Sequence, residues 1–150
     1  MNIVDRLMDD HREIMSMLTD LLNGPIDDAE KYSKKYIEMM SRIEAHERGE
    51  ERTVYETLSS DLEVRPIALQ AMEEHRLVRQ LLRELADVEI TEEVWLPRLV
   101  VANNIIALHV QIEEGNVLPL IQESLNESQR EDLDRRFQME KESIMTVLRS

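Results

Sequence analysis

The stretch His46-Glu47-Arg48-Gly49-Glu50-Glu51 decides how this chain can fold, and it has a counterpart in His109-Val110-Gln111-Ile112-Glu113-Glu114. In both stretches a histidine is followed four residues later by a glutamate, with a second glutamate directly after it. On an α-helix this spacing stacks the imidazole and the first carboxylate on one face, about one turn apart. The two stretches therefore predict two helices that each present a His–Glu pair to one side.

Two more histidines extend the repeat upstream. The triplet Asp10-His11-Arg12 lies 35 residues before the first stretch, and Glu74-His75-Arg76 lies 34 residues before the second, measured between the histidines. The chain has 4 histidines, and all of them occupy matching places in this two-fold repeat. We therefore treat six residues as one candidate metal-binding set: His11, His46, Glu50, His75, His109 and Glu113.

The composition predicts an all-α protein. The 150 residues include 3 Gly and 4 Pro, and 3% of the residues are aromatic, so strand formers are scarce. This length suits one domain over residues 1–150. Apolar residues recur at helical spacing in five segments. The segments run over about residues 2–22, 27–58, 66–86, 97–122 and 127–148.

Four long amphipathic helices joined by short loops predict an antiparallel up-down four-helix bundle over about residues 2–122. The fifth segment, from about 127 to 148, is expected to lie against the outside of that bundle. Thr91 is a plausible N-cap for the fourth helix, which begins beside Pro97 or is kinked there. Pro119 is expected to kink or end the same helix.

Charge and cysteine usage exclude several kinds of partner. A net charge of −14 argues against nucleic acid and against an anionic membrane surface. The chain has 0 Cys, which excludes disulfides and thiolate metal sites. The longest uncharged run, Leu99–Ile112, is too short and too polar to span a bilayer of about 30 Å. With no apolar signal core near the N-terminus, we expect a cytoplasmic protein.

The six candidate residues lie on apolar faces, where a carboxylate costs several kcal/mol unless a cation or donor meets it. Neutral imidazole and carboxylate together are good ligands for divalent first-row metals. Four ring nitrogens and two shared carboxylates suit two metal ions. The alternative is a metal-free helical interaction module, in which the histidines are hydrogen-bonded core residues and each glutamate pairs with an arginine.

In order, spacing and local context these residues resemble the hemerythrin-like (HHE cation-binding) family. The contexts are Asp10-His11-Arg12-Glu13-Ile14 and the run from His109 to Pro119, which reads His-x3-Glu-Glu-x3-Leu-Pro. The resemblance covers residues 2 to about 122. It implies a four-helix bundle with a non-haem di-iron centre, in which two iron ions are joined by both glutamates and by an oxo or hydroxo group.

One position departs from the oxygen-carrying hemerythrins, which have a fifth histidine four residues after the third-helix histidine; here it is Arg79. The set with two histidines per iron resembles iron-centre repair proteins and bacterial hemerythrin-like proteins of nitric oxide or peroxide metabolism. The resemblance thus implies a protein that handles oxygen, nitric oxide or peroxide for sensing, carriage or detoxification. The alternative is iron storage, or iron donation for repair of damaged iron centres.

An enzyme that reduces peroxide or nitric oxide would use the same site and would need an electron donor, which the sequence does not identify. The expected partners are thus a small diatomic or peroxide ligand and an unidentified redox partner, with the chain acting as a monomer or a homodimer.

Several residues beside the candidate ligands could act on them or on a bound small molecule. Arg79 either faces the centre, where it would attract an anionic ligand, or bends outward to the acidic surface. Adjacent helical residues point about 100° apart, so most of the neighbouring carboxylates are expected to be solvated, although they could orient imidazoles. Tyr55, nine residues after His46, is expected on the opposite side of its helix. The neighbouring carboxylates are Asp10, Glu47, Glu51, Glu74 and Glu114.

Overall fold

A computed structural model describes residues 1–150, and it is all-α with no strands, as the sequence predicts. The second and fourth helices are each interrupted by a π-helical turn. After Glu50 the second helix continues through a π-helical segment, Glu51–Tyr55, and an α-helical segment, Glu56–Ser59. After Ile112 the fourth helix continues through a π-helical segment, Glu113–Val117, and an α-helical segment, Leu118–Ser124. The helices are α1 (Ile3–Asn23), α2 (Ala29–Glu50), α3 (Arg65–Ala86), α4 (Trp95–Ile112) and α5 (Glu127–Arg149).

The first four helices form the expected bundle, because α1 packs against α2 and α4, and α3 packs against the same two helices. Short connections between consecutive helices make the neighbours antiparallel. None of the helices combines the length and the apolar character that a membrane crossing requires.

Helix ends follow local capping chemistry at most positions. The side chain of Asn2 accepts from the Asp5 amide at the start of α1, and Asn126 forms a capping box with Gln129 at the start of α5. At the end of α1, a Cβ on Gly24 would lie 2.8 Å from the Asp20 carbonyl oxygen, so glycine is required there. Pro66 lies in the first turn of α3, as expected.

One expectation about the fourth helix is wrong, and one of the two alternatives for Pro119 is excluded. Thr91 does not cap α4, because the residues before Trp95 form turns and the N-cap position is Val94, which makes no side-chain cap hydrogen bond. Pro119 does not end the helix. The π-helical segment Glu113–Val117 precedes it, so the proline falls in the first turn of the next α-helical piece, where its missing N–H is tolerated.

The core consists of two apolar clusters that lie on either side of the histidines along the bundle. Ile14 and Ile43 belong to one cluster, whereas Leu7 and Val54 belong to the other, and His11 and His46 lie between them in sequence. On α3 and on the fourth helix, too, the histidine lies between residues of the two clusters. The bundle therefore carries one buried polar layer between two apolar halves.

The fifth helix packs mainly along α2 and also against α1. The side chain of Phe137 on this helix is fully buried in one of the two apolar clusters. Arg6 on α1 pairs with Asp134 on α5 through Nε at 2.9 Å and Nη2 at 3.2 Å. Thus α5 lies outside the four-helix bundle as predicted, but it reaches further into the core than a surface helix would.

Candidate metal centre

The structure brings all six candidate residues together in the polar layer. His11 comes from α1, His46 and Glu50 from α2, His75 from α3, and His109 and Glu113 from the fourth helix and its π-helical segment. All six are buried. Their potential ligand atoms form two groups, each with atoms within 4.8 Å of one another, and both groups contain Glu50 and Glu113. His11 and His46 complete one group, and His75 and His109 complete the other.

The four Nε2 atoms and the two carboxylates point toward a common centre. His46 Nε2 lies 2.8 Å from Glu50 Oε1, and His109 Nε2 lies 3.2 Å from Glu113 Oε2. These two pairs are the ones that the four-residue spacing predicts. Across the bundle, His11 Nε2 lies 3.4 Å from Glu113 Oε1, and His75 Nε2 lies 2.9 Å from His109 Nε2.

Four outer carboxylates hold the other ring nitrogens. In α1 and α2, the Nδ1 of His11 donates to Glu114 Oε2 at 2.7 Å, and the Nδ1 of His46 donates to Asp10 Oδ2 at 2.9 Å. The histidines of the other half of the repeat form the corresponding hydrogen bonds. His75 Nδ1 donates to Glu51 Oε2 at 2.9 Å, and His109 Nδ1 donates to Glu74 Oε1 at 2.5 Å.

The expectation that most of these neighbouring carboxylates are solvated is therefore wrong, because four of the five accept from an imidazole. Spacing within one helix does not show contacts between helices, and each outer carboxylate accepts from an imidazole on a different helix. For example, Asp10 of α1 accepts a hydrogen bond from His46 of α2. The fifth neighbour, Glu47, is also buried.

The hydrogen bonds of the outer carboxylates test whether the inner atoms fit a metal. Ionised carboxylates only accept, so each Nδ1 carries a proton, and each neutral ring presents a lone pair at Nε2. With both rings neutral, His75 Nε2 and His109 Nε2 would face each other at 2.9 Å with two lone pairs, so without a metal one of the two nitrogens must carry a proton. Both oxygens of Glu50 and one of Glu113 also lack a hydrogen-bond donor. Because acceptors face acceptors, these residues fit bound cations.

Burial and neighbouring charges perturb the pKa values in the layer. Burial and the nearby Glu113 carboxylate raise the pKa of Glu50 well above its usual range. Burial lowers the pKa of His75 to about 4, which keeps this imidazole in the neutral form that binds metal. Burial also lowers the pKa of His109, but the hydrogen bond to Glu113 and the adjacent carboxylates outweigh it and raise the value to about 9.

Tyr55 is a site residue that the sequence reasoning missed. It is fully buried, and its hydroxyl donates to Glu113 Oε2 at 2.8 Å. The expectation that it lies opposite His46 assumed a regular α-helix, but Glu51–Tyr55 is π-helical. A π-helical turn holds one extra residue, which rotates Tyr55 by about 100° relative to the α-helical position. The sequence carries no signal for this turn.

Arg79 neither faces the centre nor turns to the surface. Its Nη1 donates to Glu51 Oε2 at 2.7 Å and lies 3.6 Å from Glu47 Oε1, and its side chain is 12% exposed. It thereby holds the carboxylate that orients His75. Both expected placements of Arg79 are thus wrong, because neither took account of its partners on the second helix, Glu47 of α2 and Glu51 of the π-helical segment.

A cleft of about 380 Å³ leads from the surface to one half of the layer. His109, Glu113 and the outer carboxylate Glu74 line it, together with Gly115 and residues of α3. Gly115 is exposed, and a Cβ added there would meet no atom within 4 Å. The His75/His109 half is therefore the half that the cleft reaches.

Comparisons with known proteins agree with this geometry. A family model described as the hemerythrin HHE cation binding domain matches residues 2–121. An uncharacterized hemerythrin-like protein of Schizosaccharomyces pombe is 23% identical over 147 residues, which cover 96% of this chain and 71% of that protein. No solved structure matches the chain.

Proposed function

Because the chain belongs to the hemerythrin HHE cation-binding family, we propose that it binds two iron ions in the polar layer and handles oxygen, nitric oxide or peroxide there. His11 and His46 would hold one ion, His75 and His109 the other, and Glu50 would bridge both ions together with Glu113. The observation that carries the proposal is that the two four-residue groups share both glutamates. We also propose that residues 1–150 form one such domain, with α5 appended to the bundle.

The charges in and around the layer favour two divalent ions over one. The six carboxylates that lie against an imidazole nitrogen, two inner and four outer, carry six negative charges in their ionised forms. Two cations offset part of this charge, since Arg79 pairs with Glu51 and Lys141 pairs with Asp10. The four negative charges that remain match two divalent ions, and the neutral imidazoles add none.

Imidazole and carboxylate ligands without thiolate suit iron among the first-row metals, and the chain has no cysteine. Bound iron would supply redox chemistry and open coordination positions for a small ligand.

The protein's own residues determine how a ligand arrives and how firmly the imidazoles are held. The cleft beside Gly115 gives a route for a small ligand to the His75/His109 half. Each imidazole is fixed by a carboxylate at Nδ1, which sets its tautomer and its orientation. This outer ring favours a retained metal centre over iron storage or donation.

Metal analysis of the reconstituted protein tests the proposal. After anaerobic loading with ferrous iron and gel filtration, we expect about two equivalents of iron per chain. We expect Glu50→Gln to lose much of this iron. The control variant Glu56→Gln changes an exposed carboxylate further along the same helix, and it should retain the iron. One equivalent or fewer in the unmodified protein, or a clear preference for zinc, would contradict a di-iron centre.

Spectroscopy then tests the ligand. Nitric oxide added anaerobically to the ferrous protein should change its absorption spectrum. In the variant Gly115→Leu, which adds a bulky side chain to the lining of the cleft, this change should be at least several-fold slower with the same iron content. An equal rate in both proteins would show that the ligand enters elsewhere, and no spectral change would refute ligand binding.

A further inference from the structure

The helix α5 lies outside the residues 2–121 that the family model matches, yet it contacts one half of the candidate centre. The ring centroid of Phe137 lies 5.7 Å from that of His46, with the rings at 83°. A Cβ on Gly49 would lie 3.1 Å from Phe137 Cε2. Gly49 costs α2 about 1 kcal/mol of helix propensity, but it allows α5 to approach at the level of the histidines.

One helical turn further along α5, Lys141 reaches the same imidazole through a carboxylate. Its Nζ donates to Asp10 Oδ1 at 2.9 Å and to Oδ2 at 3.0 Å. Asp10 Oδ2 in turn accepts from His46 Nδ1 at 2.9 Å. Asp10 is 8% exposed, so its charge depends on partners in the protein.

The two halves of the centre differ in whether a cation from α5 holds an outer carboxylate. Glu74 occupies the place of Asp10 in the repeat, and it accepts from His109 and, at 3.3 Å, from the Gln70 amide. No lysine or arginine lies within 4.0 Å of it, so its only charged partner is the imidazole. The His11/His46 half thus depends on a cation supplied by α5, whereas the cation of the His75/His109 half is Arg79 of α3, which holds Glu51.

On the basis of the proposed di-iron function, we infer that Lys141 is a positioning residue for the His11/His46 half of the centre. Lys141 fixes the Asp10 carboxylate, and Asp10 fixes the tautomer and the direction of the His46 ring. Loss of such an outer partner typically lowers metal affinity 10–100-fold. The fifth helix therefore controls how firmly one of the two ions is held.

Release of iron to ferrozine, a chromogenic ferrous chelator, tests this inference in the full-length ferrous protein. Lys141→Met removes the ammonium group and keeps most of the aliphatic chain. We expect release in two phases, with one equivalent 10–100-fold faster than in the unmodified protein and the other unchanged. Lys141→Arg, which restores a cation, should return the fast phase to within a few-fold of the original rate.

Arg149→Gln is the matched control, because Arg149 pairs α5 with Glu38 of α2 at an exposed position away from the layer. This variant should release iron like the unmodified protein. Circular dichroism and urea unfolding of the metal-free variants report whether α5 remains docked. If Lys141→Met does not fold, Lys141→Gln replaces it, because the amide keeps a polar end without the charge, and the same fast phase is expected.

The outcomes separate this inference from the proposed function. Two iron equivalents in the unmodified protein with unchanged release from the Lys141→Met variant would overturn the role of Lys141 and leave the di-iron proposal standing. Equal acceleration of both equivalents would also overturn it, because the effect would not be confined to one half. An unmodified protein that binds no iron would overturn both.

Discussion

Replacing Glu50 by glutamine should stabilise the metal-free protein and remove its stabilisation by iron. The Glu50 side chain is fully buried, and neither of its oxygens has a hydrogen-bond donor. His46 Nε2 lies 2.8 Å from Oε1, but its lone pair faces the oxygen because the ring proton is at Nδ1. In the variant Glu50→Gln, the side-chain amide can donate to this lone pair, and it replaces an acid whose ionised form burial and the Glu113 carboxylate disfavour.

The size of the effect follows from the cost of an unsatisfied buried group. Leaving such a group without a partner costs about 1–3 kcal/mol, so we expect a gain of about 2 kcal/mol in the unfolding free energy. For a chain of 150 residues, each kcal/mol raises Tm by about 2–4 °C, which gives about 4–8 °C for the metal-free variant.

With iron bound, the unmodified protein should be more stable than the Glu50→Gln variant. At a free iron concentration about 100 times Kd, a bound ion stabilises the unmodified protein by about 2.7 kcal/mol, whereas the variant gains little. Anaerobic calorimetry of both proteins, with and without ferrous iron, measures the reversal. Glu56→Gln should stay within about 0.5 kcal/mol of the unmodified protein in both states. A metal-free Glu50→Gln variant that melts below the unmodified protein would refute the reasoning.

Three further substitutions test other parts of the structure, each by urea unfolding of the metal-free protein. Tyr55→Phe removes the hydroxyl that donates to Glu113 and should cost about 1–3 kcal/mol; no loss would mean that the carboxylate has another donor. Gly115→Ala should gain about 0.5–1 kcal/mol, because the added Cβ meets no atom. Gly49→Ala should instead be destabilising by about 1 kcal/mol, since the buried Phe137 ring crowds the Cβ; a gain equal to that of Gly115→Ala would show that the ring moves freely.

The sequence predicts much of the fold because helical periodicity is a local property. Residues three and four apart share a helix face wherever the helix lies, so the apolar faces and the four-residue His–Glu spacing could be assigned without coordinates. The matched spacing of the two halves then aligns the four histidines. For this reason the structure brings together all six candidate residues that the pattern selects.

Departures from a regular helix could not be predicted in this way. Tyr55 reaches the polar layer because of a π-helical turn, and Pro119 is accommodated after another. A one-residue insertion into the helical turn changes no residue type, so it leaves the sequence pattern intact while it rotates everything that follows by about 100°.

The sequence by itself determined the helical class, the inward faces of the helices and the level at which the histidines lie. Only the tertiary structure decided which outer carboxylate meets which imidazole, and that α5 supplies Lys141 and Phe137 to one half of the layer. Lys141 and Asp10 are 131 residues apart in the chain. Their contact depends on the rotation and axial shift of one helix against another. Side-chain packing between the helices sets this arrangement, and the local period of the sequence carries no information about it.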